Sequence, residues 1–212
     1  ERIVLILIVL LLVPLLQIIL KADFSTTSSN VQRSSSLVDT LQDPSVYVFN
    51  DYAYIAWFRQ YSGPDFEIML MKVSIADGTI AWKKRLTIHS GEDQYPCILI
   101  YNSYIYITWQ RYYRESRDWE IMLAKVTTDG SVVWIKRLTA YSGYDKYPSI
   151  CAYYGYIYVA WQRDYGTNGD YEIMLQKIDA DDGSIVWTKR LTSYSDDDHK
   201  PSICVYNGYI YV

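Results

Sequence analysis

Three arginines and three glutamates recur at matching places and are the chain's most regular candidates for ionic chemistry: Arg59 with Glu67, Arg111 with Glu120, and Arg163 with Glu172. A carboxylate beside a cation can do acid–base work when its surroundings shift its proton affinity. Catalysis would require one copy to differ from the others, and here every copy carries both residues. The expectation is a repeated structural ion pair across neighbouring antiparallel strands. Asp93, Asp145 and Asp198 each stand three residues before a proline. They are expected to hold a turn by side-chain to backbone hydrogen bonds.

One loop is rich in aromatic and cationic side chains, with Tyr112, Tyr113, Arg114 and Arg117. It is the candidate surface for a glycan or protein ligand, because variable loops on a regular scaffold carry recognition. No cofactor is called for. Calcium is the one metal for which oxygen ligands cluster, at Asp196, Asp197 and Asp198. The three cysteines, Cys97, Cys151 and Cys204, follow prolines in apolar stretches and read as small buried hydrophobes. An odd count argues against a disulfide framework, and neither His89 nor His199 lies at zinc-ligand spacing from them. Nucleophile triads, phosphate loops and dinucleotide fingerprints do not occur.

These residues sit on a tandem repeat. Pro44, Pro96, Pro148 and Pro201 are spaced by 52, 52 and 53 residues. Trp57, Trp109 and Trp161 keep that period, as do Trp82, Trp134 and Trp187, and all six read as structural. Asp65 to Leu70 returns as Asp118 to Leu123 and as Asp170 to Leu175, and Arg85-Leu86-Thr87 returns twice. Each unit parses into four strands. In the third these are Ser149 to Tyr153, Tyr156 to Arg163, Tyr171 to Ile178 and Ile185 to Thr192. The last two are joined by an Asp-Gly hairpin at Asp182-Gly183. The second strand carries Ile157, Val159 and Trp161 on one face and Tyr156, Tyr158 and Ala160 on the other. Apolar residues on both faces suit a sheet covered on both sides. The predicted fold is all-β, a β-propeller of four-stranded repeats. A fourth unit starts at Pro201, and Val212 aligns with Val159, so the sequence reads as part of a longer chain.

The Asp-Gly-[Thr/Ser]-x-x-Trp stretches at Asp77–Trp82, Asp129–Trp134 and Asp182–Trp187 resemble the blade repeats of quinoprotein-like propellers. That resemblance implies a Trp docked between blades. The Trp-x-Arg and aromatic-Glu-Ile elements are similar to repeats of secreted bacterial and archaeal propellers, sialidase-like ones included. The sialidase Asp box, Ser-x-Asp-x-Gly-x-x-Trp, is not matched, since Ala76, Thr128 and Asp181 precede the aspartates.

The expected domains are an apolar helix at 1–21, a Ser/Thr-rich linker at 22–43 and the repeats at 44–212, divided at 44–95, 96–147, 148–200 and a partial 201–212. Ile3 to Leu20 is an apolar run broken only by Gln17, and as a helix it would span about 27 Å, close to a bilayer core. It predicts a transmembrane anchor or, loosely resembling an archaeal type IV pilin, the core of a filament. Partners then include a membrane or further copies of the chain held through residues 3–20, a homo-oligomer among them. With a net charge of -4 and no basic stripe, nucleic acid is excluded. Abundant Tyr and Ile are compatible with a thermophilic, archaeal-like source. The leading functional expectation is a non-enzymatic, cell-surface binding or assembly protein. The alternatives are a filament subunit with the propeller outside, or a secreted enzyme of quinoprotein or glycosidase type.

Overall fold

The structure, a computed structural model, describes residues 42–63, 65–88, 91–140, 143–165, 170–193 and 197–212. The predicted helix at 1–21 and nearly all of the linker lie outside these residues. Among the described residues no helix is long and apolar enough to cross a membrane.

Three antiparallel sheets of four strands follow one another, each in simple sequence order. The first holds β1 (Gln42–Phe49), β2 (Tyr52–Ser62), β3 (Asp65–Ser74) and β4 (Ile80–Arg85). The second holds β5 (Glu92–Tyr101), β6 (Tyr104–Tyr113), β7 (Asp118–Thr127) and β8 (Val132–Arg137). The third holds β9 (Asp145–Tyr153), β10 (Tyr156–Asp164), β11 (Tyr171–Asp179) and β12 (Ile185–Arg190). A two-stranded sheet, β13 (Cys204–Tyr206) and β14 (Tyr209–Tyr211), begins the next repeat.

Burial explains the arrangement. β10 is buried along almost its whole length on both faces, whereas β12 is almost wholly exposed. The middle strands are therefore sandwiched between neighbouring sheets, and the fourth strands form the rim. Tyr54, Phe58 and Leu70 of the first sheet pack with Ile98, Ile107 and Trp109 of the second. Leu99, Tyr106 and Leu123 of the second pack with Ile150, Val159 and Trp161 of the third. The first strands β1, β5, β9 and β13 lie beside one another in turn, so they form the inner wall.

The rim tryptophans dock as the repeat pattern implies. The Trp82 indole donates to the Thr128 carbonyl at 3.3 Å, and that of Trp134 donates to the Asp181 carbonyl at 3.0 Å, each in the next sheet's hairpin. Glycine serves twice in that hairpin. Gly183 has φ +71, and a Cβ there would lie 3.0 Å from the Trp134 ring. A larger residue would strain the turn and push the docked Trp away.

Two expectations need correction. The first strands begin earlier than Ser149 and its equivalents, since β9 starts at Asp145 and passes Pro148 through a shift in register. A proline, lacking an N–H, is accommodated at such a bulge. By the same device β1 takes in Gln42 and Asp43, which had been placed in the linker. The cysteines are not uniformly buried. Cys97 and Cys151 are half-buried and Cys204 is exposed, because it sits in the two-stranded sheet.

Candidate active site

The register sets a row of charge across the second and third sheets. Asp93 stands opposite Arg111, which stands opposite Glu120, and Asp145, Arg163 and Glu172 repeat the order. Arg59 likewise faces Glu67. In the second and third sheets the arginine forks close on the aspartate side of the row, where the expectation was an Arg–Glu pair. Arg111 grips Asp93 through Nε at 2.6 Å and Nη2 at 2.8 Å, and Arg163 grips Asp145 at 2.7 and 2.9 Å. The glutamates turn outward to the fourth strand. Glu67 accepts from Arg85 at 2.6 Å, Glu172 from Arg190 at 2.5 Å, and Glu120 from Arg137. Two parallel N–H groups match one carboxylate, and the arginine fork can satisfy only one neighbour in this way.

The aspartates are not turn-holders, which is a second correction. The carboxylate oxygen Oδ1 of Asp93 also accepts the Trp109 indole N–H at 2.8 Å, and that of Asp145 accepts the Trp161 N–H at 2.7 Å. Both aspartates are fully buried. Burial pushes the Asp145 carboxyl up against the pull of Arg163. Burial also pushes Glu120 up, against Thr139 and Arg137. Asp198, by contrast, contributes its backbone N–H, to the Tyr171 carbonyl at 2.8 Å.

At the bulges the repeats stop being alike. The residue before each repeat proline is Asp43, Tyr95, Tyr147 and Lys200 in turn. All four have left-handed backbones, with φ 45, 53, 54 and 48. For residues with a Cβ that conformation costs about 1–2 kcal/mol each. In two of them a side chain of the preceding sheet holds the backbone. The buried Gln110 accepts the Tyr147 N–H at 3.0 Å, and Gln162 accepts the Lys200 N–H at 2.9 Å. In the first sheet the equivalent residue is Phe58, whose ring lies 5.6 Å from that of Tyr95.

The four residues line one cavity of about 360 Å³ on the inner wall, with Cys97 and Ser149 at its side. Its floor is aromatic. The Tyr95 and Tyr147 rings meet edge to face at 4.7 Å, and the Lys200 ammonium lies 5.0 Å from the Tyr147 ring centre. Burial raises the proton affinity of the Tyr95 hydroxyl, with Tyr147 and the negative charge of Asp43 adding to it. The cavity thus has a carboxylate at one end, an ammonium at the other and two phenols between. Such a site can stack an apolar ligand face and handle a proton beside it. The thiols are not poised for nucleophilic attack, since burial pushes Cys151 up to about 12 and Cys97 upward as well.

The loop candidates separate. Tyr113 donates to the Met122 sulfur and lies under Arg137, as Tyr61 and Tyr165 do under Arg85 and Arg190. It is one copy of a repeated structural contact. Tyr112 packs on Trp119 with ring centres 5.2 Å apart. Arg114 reaches Asp65 of the first sheet at 2.6 Å, leaving the exposed Arg117 to solvent-facing roles. Of the expected calcium ligands, Asp196 lies outside the described residues. Asp197 accepts the Tyr171 N–H at 3.2 Å and stands 3.7 Å from His199. The cavity residues do not stand out in the sequence, because the period highlights only what repeats. The available signal was the opposite one, a position beside an invariant proline that is an acid in the first copy, tyrosine in the next two and lysine in the fourth.

No family model matches the sequence, and no curated protein does. Solved structures do resemble it. An endo-arabinase from Bacteroides thetaiotaomicron superposes with a TM-score of 0.60 at 16% identity, over 86% of this chain and 72% of that one. An α-L-arabinofuranosidase from Lactobacillus brevis gives 0.55 at 10% identity, over 78% and 62%. The Trypanosoma rangeli sialidase bound to the inhibitor DANA gives 0.59 at 14% identity, over 82% and 34%. The chain spans less than two thirds of the latter two. At such identities the likeness establishes the fold, a β-propeller built from four-stranded sheets. It carries the expected quinoprotein resemblance no further than that architecture. The expectation of a non-enzymatic surface protein is corrected to this extent, that the propellers which the chain resembles are by name an endo-arabinase, an α-L-arabinofuranosidase and a sialidase.

Proposed function

We propose that the chain forms part of a carbohydrate-cleaving propeller, with the glycan lying across the Tyr95–Tyr147 floor. The observation that carries this reading is the break in repeat symmetry at the inner cavity, on a fold shared with glycosidases. Asp43 serves as one of the two carboxylates that glycoside hydrolysis requires. Its partner is expected from residues outside the described lining. Tyr95 and Tyr147 offer ring faces to the sugar, and Lys200 bonds its hydroxyl or charged groups. An extracellular location, with the apolar segment 3–20 as anchor, belongs to this reading.

The test is release of reducing ends from arabinan, xylan and acidic polysaccharides by the full chain. Turnover of at least one polymer is expected. Asp43→Asn should lower it by about a hundredfold or more at an unchanged melting temperature, in line with the loss of a general acid or base. Full activity in Asp43→Asn removes Asp43 from the reaction.

A further inference from the structure

A second cavity of about 360 Å³ adjoins the first and shares Tyr147 and Lys200 with it. Its remaining lining is Lys146, Gln162, Tyr171 and His199. In a chain of net charge -4, this recess gathers two lysines and a histidine. Lys146 is half-buried, with its ammonium 4.7 Å from the Tyr144 ring centre and 5.5 Å from that of Trp119. Among the described residues it forms no salt bridge, and its nearest charge influence is Asp164. Burial lowers its proton affinity against the opposing pull of Asp164, as expected for an ammonium held against aromatic faces. Lys200 stands across Tyr147 and also forms no salt bridge among the described residues. Two carboxylates neighbour the recess and both have partners: Asp164 interacts with the Tyr171 hydroxyl and with Lys146. Asp197 is bonded to the Tyr171 N–H and faces His199. Tyr171 packs on the His199 ring with centres 4.8 Å apart, supplying a second aromatic wall.

From this juxtaposition we infer that the second cavity is a subsite for a sugar unit bearing an anionic group, a uronate carboxylate, next to the unit held on the Tyr95–Tyr147 floor. Lys146 and Lys200 flank the carboxylate, and Tyr147 and Tyr171 pack against the ring that carries it. The inference rests on the glycan reading above and narrows it to acidic glycans. An ammonium is a point charge that accepts a carboxylate without a fixed geometry, so the subsite selects charge more than linkage.

The experiment is calorimetric titration of the full chain with matched oligosaccharides, a glucuronate-substituted xylotetraose and unsubstituted xylotetraose, with the corresponding galacturonate and galactose tetramers. The acidic member of a pair is expected to bind about tenfold more tightly. Lys146→Met keeps the side-chain stem against Trp119 and Tyr144 and should abolish most of that preference while leaving neutral binding in place. Raising the salt to 0.5 M should weaken only the acidic member, because a partly exposed charge contact is screened. Equal affinity for acidic and neutral members, or an undiminished preference in Lys146→Met, overturns the subsite and leaves the glycan reading standing. Failure of every oligosaccharide to bind overturns both.

Discussion

The buried charge rows and the inner-wall ring use the same residue types for opposite ends. Asp93 and Asp145 are enclosed, each tied to an arginine and a tryptophan in the same way in two successive sheets. Asp43 and Lys200 are exposed, differ from their counterparts in the other repeats, and sit on strained backbone. Identical partners in two successive copies mark a group that holds the sheet together. A group that changes from copy to copy at one strained position serves something other than the sheet. The first sheet sharpens the contrast. Leu41 stands where Asp93 and Asp145 stand in the later repeats. Among the described residues the buried Trp57 N–H has no hydrogen-bond partner.

The largest way to test the contrast is to remove one member of each kind. Asp145→Ala removes both carboxylate bonds to the buried Arg163 and the acceptor of the Trp161 N–H, and should cost about 3–5 kcal/mol in thermal or denaturant unfolding. Lys200→Asn, which suits the left-handed backbone, should be neutral or stabilising by up to about 1 kcal/mol. If the two variants unfold alike, the division between structural row and site ring fails. A smaller effect separates the tryptophans. Trp109→Phe deprives Asp93 of a donor, whereas Trp57→Phe removes an N–H that is unpaired. The first should cost about 1–2 kcal/mol more than the second. Equal costs would mean that the indole bond to Asp93 contributes nothing.

Much of the architecture was legible from period and alternation. The four-strand unit, the Asp-Gly hairpins and the docking of Trp82 and Trp134 follow from residues that must recur for each sheet to cover the next. The ionic partners were not legible. Arg111 has a carboxylate on either side at equal register, and only side-chain reach decides that its fork closes on Asp93 while Glu120 turns to Arg137. Tyr113 could not be told from a ligand-binding residue until its copies Tyr61 and Tyr165 were seen in the same contact. The site itself was hidden by a bulge. Asp43 precedes the first repeat proline and read as the end of a polar linker, and nothing local announces that Asp43, Tyr95, Tyr147 and Lys200 converge. Their convergence depends on the inner strands lying side by side.

The most direct test of the central claim is a crystal structure of the full chain bound to an oligosaccharide that it recognises. The account predicts sugar density over the Tyr95 and Tyr147 rings, with one hydroxyl or ring substituent within hydrogen-bond distance of Asp43. Density on the 112–117 loop or along the exposed rim strands, with the inner cavity empty, would contradict it.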